Sequence, residues 1–535
     1  MRNKKTLMLP LILCELYWAL AYLIYRFGVV EHPFKKDLAV AVFVFVCGLC
    51  FALGYIVLVK YIRKKRENVT EKIREEGKDS SINISGFLWI ALAVAIITAV
   101  PNCYRYTGEW FPPLIATLMN PGETYLRVTG SVAGSSVLAI FDFFPFVIFP
   151  LTFFGWNSLG KKIKIVSCIV SVYYLIIYCS CGRNMPIIYF FFSVLITFFV
   201  MICSGMLKNK KAMLRSIVIV FVMFAIAAIM FKLNLASRTL YSSNVEEQLA
   251  QLDSEQKTNQ NVQVRDEDKD NTNFENRDNE ADKDDNNAPN NVDGNENTNK
   301  GSEEKARDNL GIYLQYKDLI ITNEQKETCE KVGAIFPMYT NPYTKSYVKT
   351  DDPVYRTLPE SLRFAYVMGS MYLSSSYHVL SVAMRMDFQW TYGMGCSEFL
   401  MDYFKRFTGI DIKSKTYGYR AVQLTEPPIV STYGWSTAYV QFASDLTFPG
   451  VLVLFVVLGA LTGLIWIEVL STRNICGIPL MIEMALLCLF IPANCITFCS
   501  GGYFTTFLGS LILFVFSLIY RKKYEHGHTQ KKNGE

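Results

Sequence analysis

Several marks of a soluble enzyme are missing from this sequence. It holds four histidines in 535 residues, and its fourteen cysteines show no metal-ligand spacing. There is no glycine-rich phosphate loop, no pair of carboxylates placed for acid–base work and no Ser-His-Asp order. Alternating apolar and polar residues are absent too, which excludes a transmembrane β-barrel. No repeat relates the two halves, and such a repeat is the usual mark of a secondary transporter. No metal or cofactor is expected, so any chemistry falls to arginine, a few acids and a lone histidine.

What is present is apolar. Half of the residues (51%) are hydrophobic, and they arrive in blocks of about 20, the length at which a helix spans a bilayer. Lipid offers backbone N–H and C=O groups no partners, so these blocks must be helices. The fold class expected is an all-α polytopic membrane protein with ten spans: Thr6–Tyr25, Leu38–Val59, Ile82–Val100, Val137–Phe154, Ile165–Ser180, Met185–Cys203, Ile217–Phe231, Leu446–Ile467, Ile478–Ile496 and Tyr503–Tyr520. The first block follows Arg2, Lys4 and Lys5 like a signal peptide. It carries Glu15, runs long and lacks a small-residue cleavage site, so it reads as a retained helix.

The connections orient these spans. Cytoplasmic loops carry excess Lys and Arg. Every even connection is basic: Lys60 to Lys78, then Lys161, Lys162 and Lys164, then Lys208 to Arg215, then Arg473, and finally the tail with Arg521, Lys522 and Lys523. Both ends are therefore expected inside. The net charge of +6 reflects these segments, a membrane pattern and not a nucleic-acid footprint.

This organises the chain as residues 1–231 (spans 1–7), 232–309 (an outer stretch holding an Asn/Asp-rich insert), 310–445 (a folded outer part), 446–520 (spans 8–10) and 521–535 (a basic tail). The insert from Asn244 to Asn309 has almost no large apolar residue, so disorder is expected there. Within the outer part, Ser361–Met386 is apolar but carries Arg363 and His378. An eleventh crossing there would put the basic tail outside, so one or two helices on the membrane face, or dipping into it, are expected instead. Cys103, Cys329 and Cys396 fall in outer connections, where a disulfide is open.

Four segments then converge: Tyr178–Pro186, with Gly182 and Arg183; Ser237-Arg238 after the seventh span; Tyr372–His378; and Ser436–Gly450, leading into an apolar helix that ends in Gly459 and Gly463. Over roughly residues 120–464 this pattern resembles the Wzy family, the O-antigen and capsular polysaccharide polymerases. Here the family's Asp-Phe-Gly-like triplet reads Asp445-Leu446-Thr447, with the glycine delayed to Gly450. The resemblance implies a membrane glycosyltransferase that joins polyprenyl-pyrophosphate-linked oligosaccharide repeat units on the outer face of the bacterial cytoplasmic membrane. It implies a chain-length regulator and a flippase as further partners, and no nucleic acid.

Such a reaction needs charge stabilised on a departing pyrophosphate, which suits arginine's planar, permanently charged fork. Arg183 and Arg238 stand at outer helix ends, where snorkelling to the interface is the bland alternative. Arg363 and Arg385 bracket the Ser/His segment, with solvation as theirs. His378 and Asp445 are the candidate bases; a buried structural histidine and a helix cap are the alternatives. Trp435 and Tyr439 fit sugar stacking or interfacial anchoring. Glu15, Asp142 and Glu483 fall inside apolar blocks and keep a flippase or transporter open. An O-antigen ligase is the related alternative. A lipid-phosphate-sugar transferase of the lumenal type would want paired acids in the first outer loop, which offers only Glu31 and Asp37.

Overall fold

A computed structural model describes residues 4–31, 37–73, 84–119, 137–207, 216–231, 347–349, 351–374, 376–425 and 436–533, with positions 210, 213, 214 and 233. Arg238, Cys329, Trp435 and the insert expected to be disordered lie outside the described residues.

The described chain is helical apart from one short pairing. Its first half holds α1 (Lys4–Phe27), α2 (Leu38–Ile73), α3 (Ser85–Ile97), α4 (Ala99–Thr107), α5 (Phe143–Phe154), α6 (Lys161–Cys179), α7 (Asn184–Cys203) and α8 (Ser216–Phe231). Its second half holds α9 (Glu360–Ser374), α10 (Ser376–Ala383), α11 (Glu398–Thr408), α12 (Tyr417–Thr425), α13 (Ala438–Thr472), α14 (Gly477–Phe490) and α15 (Gly501–Asn533). Val30–Glu31 pairs antiparallel with Tyr347–Val348, which ties the start of the second half to the α1–α2 turn. Among the described residues six helices, α1, α2, α6, α7, α13 and α15, are long and apolar enough to cross a membrane. The chain is a multi-pass membrane protein.

Glycine sets the tightest contact. A Cβ at Gly54 would lie 1.9 Å from the Val456 carbonyl oxygen, one at Gly459 2.0 Å from that of Phe51, and one at Gly463 3.2 Å from that of Tyr55. Phe51 meets Gly459 and Tyr55 meets Gly463, so α2 and α13 run parallel, backbone against backbone. Lipid gives no hydrophobic drive for helix association, and small residues four apart let backbones reach van der Waals contact. Trp18 of α1 packs over this seam, its ring 5.0 Å from Phe51 and 5.7 Å from Phe455.

The two ends of the bundle differ. At one end Trp466 donates to the Thr6 carbonyl at 3.0 Å and Arg521 pairs with Glu468 at 2.7 Å, so the beginning of α1 and the basic tail lie together. At the other end the turn after α14 is held by Gln441, whose side chain donates to Asn494 at 2.9 Å and accepts from the Cys495 N–H at 2.7 Å.

Several expected elements differ in shape. The third span is two helices, α3 and α4, bent by 54°. Pro101 explains this, because its ring clashes with the carbonyl of Ile97 and it has no N–H to donate. Helix α13 begins at Ala438, before the expected Leu446, but Thr447 breaks it with φ 62° and ψ 164°. Pro449 acts there in the same way on the carbonyl of Asp445. The segment expected over Ile478–Ile496 stops at Phe490 and turns through residues 491–495 into a short helix, Ile496–Cys499. The Ser361–Met386 region is two helices, as expected, and every residue of the second, α10, is buried in protein. The described cysteines, Cys103 and Cys396 included, are free thiols.

The seam can be tested by adding one methyl group. Gly459→Ala must push α2 and α13 apart, at a cost of about 1–3 kcal/mol or more. Nothing lies within 4 Å of a Cβ at Gly86, so Gly86→Ala is the matched control. We expect a clear fall in melting temperature and monodisperse yield in detergent for the first and none for the second.

Candidate functional site

At the end of the bundle opposite the basic tail, helix α10 positions a cluster of charge. Ser376 donates to the Ala493 carbonyl at 2.7 Å, which seats the helix beside the turn after α14. Tyr377 packs its ring 5.2 Å from Tyr25 and 5.8 Å from Tyr22 on α1. The chain then turns outward, and Arg385 meets Asp37, the residue before α2, at 2.8 Å. Ser381 also donates to Asp37, while the Arg385 Nη1 donates to the Ser381 carbonyl at 2.5 Å and hydroxyl at 2.6 Å. The Asp37 side chain is 7% exposed and that of Arg385 57%. Burial pushes the Asp37 carboxyl up, but the bonds from Ser381 and Arg385 outweigh it and hold the group below its ordinary value. Asp37 and Arg385 both act electrostatically on Tyr25, so this tyrosine borders the pair.

A second construction stands at the break in α13. Asp445 accepts from the Thr391 hydroxyl at 2.6 Å and from the backbone N–H groups of Gly395 and Cys396 at 2.8 Å each. The expected cap of its own helix is therefore not its role, because the carboxylate clips a separate loop, residues 391–396. In that loop Tyr392 and Gly393 have φ 55° and 75°, a conformation that glycine takes freely and tyrosine rarely. Phe388, Trp390 and Tyr392 stand exposed there. Lys415 lies 5.5 Å over the Tyr392 ring, and Arg420 donates to the Asp387 carbonyl at 2.7 Å.

The other expected residues are spread around the bundle. Arg183 precedes α7 in extended backbone, after Gly182 at φ 63°, and acts electrostatically on Tyr503. Tyr503 stacks on Tyr189 at 4.4 Å, so Arg183 borders a different group of side chains from Arg385. Arg363 donates to the Leu358 carbonyl at 3.1 Å and to that of Arg356 at 3.3 Å, and covers the Tyr355 ring, which are the contacts of a structural clamp. His378 is 2% exposed inside α10. Tyr439 is 0% exposed and stacks on Phe455 at 5.3 Å, so it is a core residue; the expected sugar platform or interfacial anchor is corrected here.

The acids inside apolar blocks have separate environments. Asp142 pairs with Arg105 and accepts from Tyr106 at 3.1 Å, against Gly502. Glu483 is fully buried and takes the Tyr189 hydroxyl proton bond on one oxygen. Glu15 faces Gly48, whose Cβ would meet its carboxylate at 2.7 Å. Sequence reasoning passed over Asp37 as a site residue, although an aspartate just before an apolar run was a legible helix-start signal. Its partners are remote: Ser381 is 344 positions away.

Two outcomes follow. Because the folded pKa of Asp37 is lowered, its pairing adds stability above the unfolded value of about 3.9 and loses it as pH falls through the folded value. The melting temperature of the purified protein is expected to drop on acidification below about pH 4 by more than that of Asp37→Asn. Asp445→Ala strands two backbone N–H groups and a hydroxyl, at about 1–3 kcal/mol each if they stay dry. Hydrogen exchange of residues 391–396 is expected to accelerate at least about tenfold while that of α2 is unchanged. Compared with family models, curated proteins and solved structures, the chain finds no match in any of the three.

Proposed function

We propose that this chain polymerises polyprenyl-pyrophosphate-linked oligosaccharide repeat units into capsular or O-antigen polysaccharide on the outer face of the cytoplasmic membrane. The observation that carries the reading is the Arg385–Asp37–Ser381 cluster: a half-exposed guanidinium held by a buried carboxylate at the end of the bundle away from the basic tail. The arrangement of the helices is compatible with it. Counting α3–α4 as one bent crossing and the shorter apolar helices containing α5, α8 and α14 as crossings gives ten. Parallel helices must be an even number of crossings apart, as α2 and α13 are when they are the second and eighth. The start of α1 and Arg521 share an end, as a chain with both termini inside requires.

In this reading the acceptor sugar hydroxyl attacks the anomeric carbon of the growing chain. A glycosidic C–O bond forms, the bond from that carbon to the pyrophosphate oxygen breaks, and the hydroxyl proton passes to water at the outer face. The lipid pyrophosphate leaves with the bonding pair. Arg385 carries the main electrostatic task, because charge grows on the oxygen it faces. Asp37 and Ser381 fix its plane, so little reorganisation remains for the reaction itself. Asp445 and His378 act through position: the first sets the aromatic loop, and the second fills the core beneath Ser381.

The test is replacement of Arg385 by Gln and by Lys in a strain whose polysaccharide depends on this chain. We expect the Gln variant to lose about a hundredfold in polymer at normal membrane levels, with single lipid-linked units accumulating on the outer leaflet. The Lys variant keeps the charge without the fork and falls between. Undiminished polymer from Arg385→Gln would falsify the reading, and units trapped on the inner leaflet would point to a flippase.

A further inference from the structure

Three thiols meet at the end of the bundle away from the basic tail. Cys495 precedes and Cys499 ends the short helix Ile496–Cys499, and Cys396 closes the loop that Asp445 clips. Two contacts between the start of α11 and the turn before α15 bring them together. Ser397 donates to the Phe498 carbonyl, and the Phe399 ring covers Gly501, 2.5 Å from where a Cβ would stand. The residue just before Ser397 is Cys396, and the residue just after Phe498 is Cys499. Cys396 acts electrostatically on both Cys495 and Cys499, and Cys499 acts on Cys495. Cys396 and Cys499 are half-buried, whereas Cys495 is buried.

Geometry and burial select one pair of the three. The Cys499 N–H donates to the Cys495 carbonyl at 3.1 Å, so these two stand one helical turn apart. Residues so spaced hold their Cβ atoms about 5–6 Å apart. A disulfide needs about 3.5–4.5 Å. Cys396 and Cys499 belong to separate segments that already touch, and both are partly open to a reagent. Their present bonds can be given up. The Cys499 thiol donates to Asn494 at 3.5 Å and accepts from Gln441 at 3.3 Å. Asn494 also receives Gln441 at 2.9 Å, and a disulfide sulfur still accepts weakly. The Cys396 thiol bonds to Asp445, which keeps the Thr391 hydroxyl and the N–H groups of Gly395 and Cys396 without it. Loss of the two S–H donors therefore leaves neither acceptor unpaired.

We propose that Cys396 and Cys499 form an oxidisable dithiol, a modification site for a low-molecular-weight disulfide. One of the two thiolates attacks the small disulfide, whose S–S bond breaks, and half of the reagent leaves as a thiol. The other thiolate attacks the mixed disulfide, the Cys396–Cys499 bond forms, and the second half leaves. The chain gives up two electrons and two protons, and the reagent takes them up as two thiols. The new bond closes a ring of about a hundred residues. It staples the 391–396 loop to the turn before α15, making covalent the docking that Asp445 and Ser397 achieve by hydrogen bonds. The site is independent of the polymerase reading, since nothing in it requires a glycosyl substrate.

The experiment equilibrates the full chain, purified in lipid nanodiscs, with oxidised glutathione. Remaining thiols are then alkylated, and disulfide-linked peptides are mapped by mass spectrometry. A peptide joining Cys396 to Cys499 is expected, and it is lost on treatment with dithiothreitol. Cys396→Ser and Cys499→Ser each abolish it, whereas Cys495→Ser keeps it. In the oxidised parent, hydrogen exchange of residues 391–396 is expected to slow at least about tenfold. Its melting temperature is expected to rise by several degrees, and dithiothreitol reverses both changes. The peptide map of the parent decides the matter even if a serine variant folds poorly. Free thiols at both positions after equilibration overturn the proposal, as do glutathione adducts without a crosslink or a Cys396–Cys495 linkage. A crosslink that leaves exchange in the loop unchanged rejects the staple.

Discussion

The contact of α2 with α13, backbone on backbone at Gly54, Gly459 and Gly463, is the constraint around which the molecule is arranged. In lipid this contact has no hydrophobic drive and depends on close packing, so there is no slack in it. It brings together segments some four hundred positions apart and forces them to run in the same direction. Trp18 locks α1 over the seam, and its indole donates to the Cys488 carbonyl at 2.7 Å, which draws in α14. The four helices around the seam then decide where everything at the end away from the basic tail can stand.

What the seam holds straight, the break at Thr447 releases. After it α13 follows α2; before it the chain doubles back, so that Tyr439 stacks on Phe455 at 5.3 Å and still meets Phe43 of α2 at 5.8 Å. Asp445, two residues before the break, uses both carboxylate oxygens on the loop that follows α10. Asp37, at the start of α2, does the same for Arg385 beyond α10. Two carboxylates on the two seam helices thus anchor the two ends of the turn that follows α10. A left-handed tyrosine and a left-handed threonine are conformations of about 1–3 kcal/mol each, and persist only where the surroundings over-determine them.

The buried acids separate scaffold from function. Asp142 beside Arg105 and Tyr106 is a satisfied pair, and its removal would leave an uncompensated guanidinium in the bundle. Glu483 and Glu15 each retain an oxygen without a hydrogen-bond partner among the described residues. They lie on different helices against different neighbours. The Arg385 guanidinium, by contrast, is 57% exposed, at the end of the bundle away from the basic tail.

The sequence by itself determined the solvent around the chain. Apolar blocks of bilayer length admit only helices, because backbone groups in lipid must bond within their own segment. The alternation of basic connections gives an expected orientation, because that rule acts on local charge and needs no tertiary contact. Helix breaks were legible in part, since Pro101 and Pro449 act on carbonyls four residues away. What only the tertiary structure decided is which polar residues do what. Tyr439 and His378 look alike in sequence to exposed site residues, but burial is a property of neighbours. Asp445 near a helix start reads as a cap until a remote loop claims both of its oxygens. Asp37 was unremarkable until α10, 344 positions on, brought Ser381 and Arg385 to it. Local pattern carries periodicity and charge; the pairing of distant groups depends on how helices pack, and here that packing turns on three glycines.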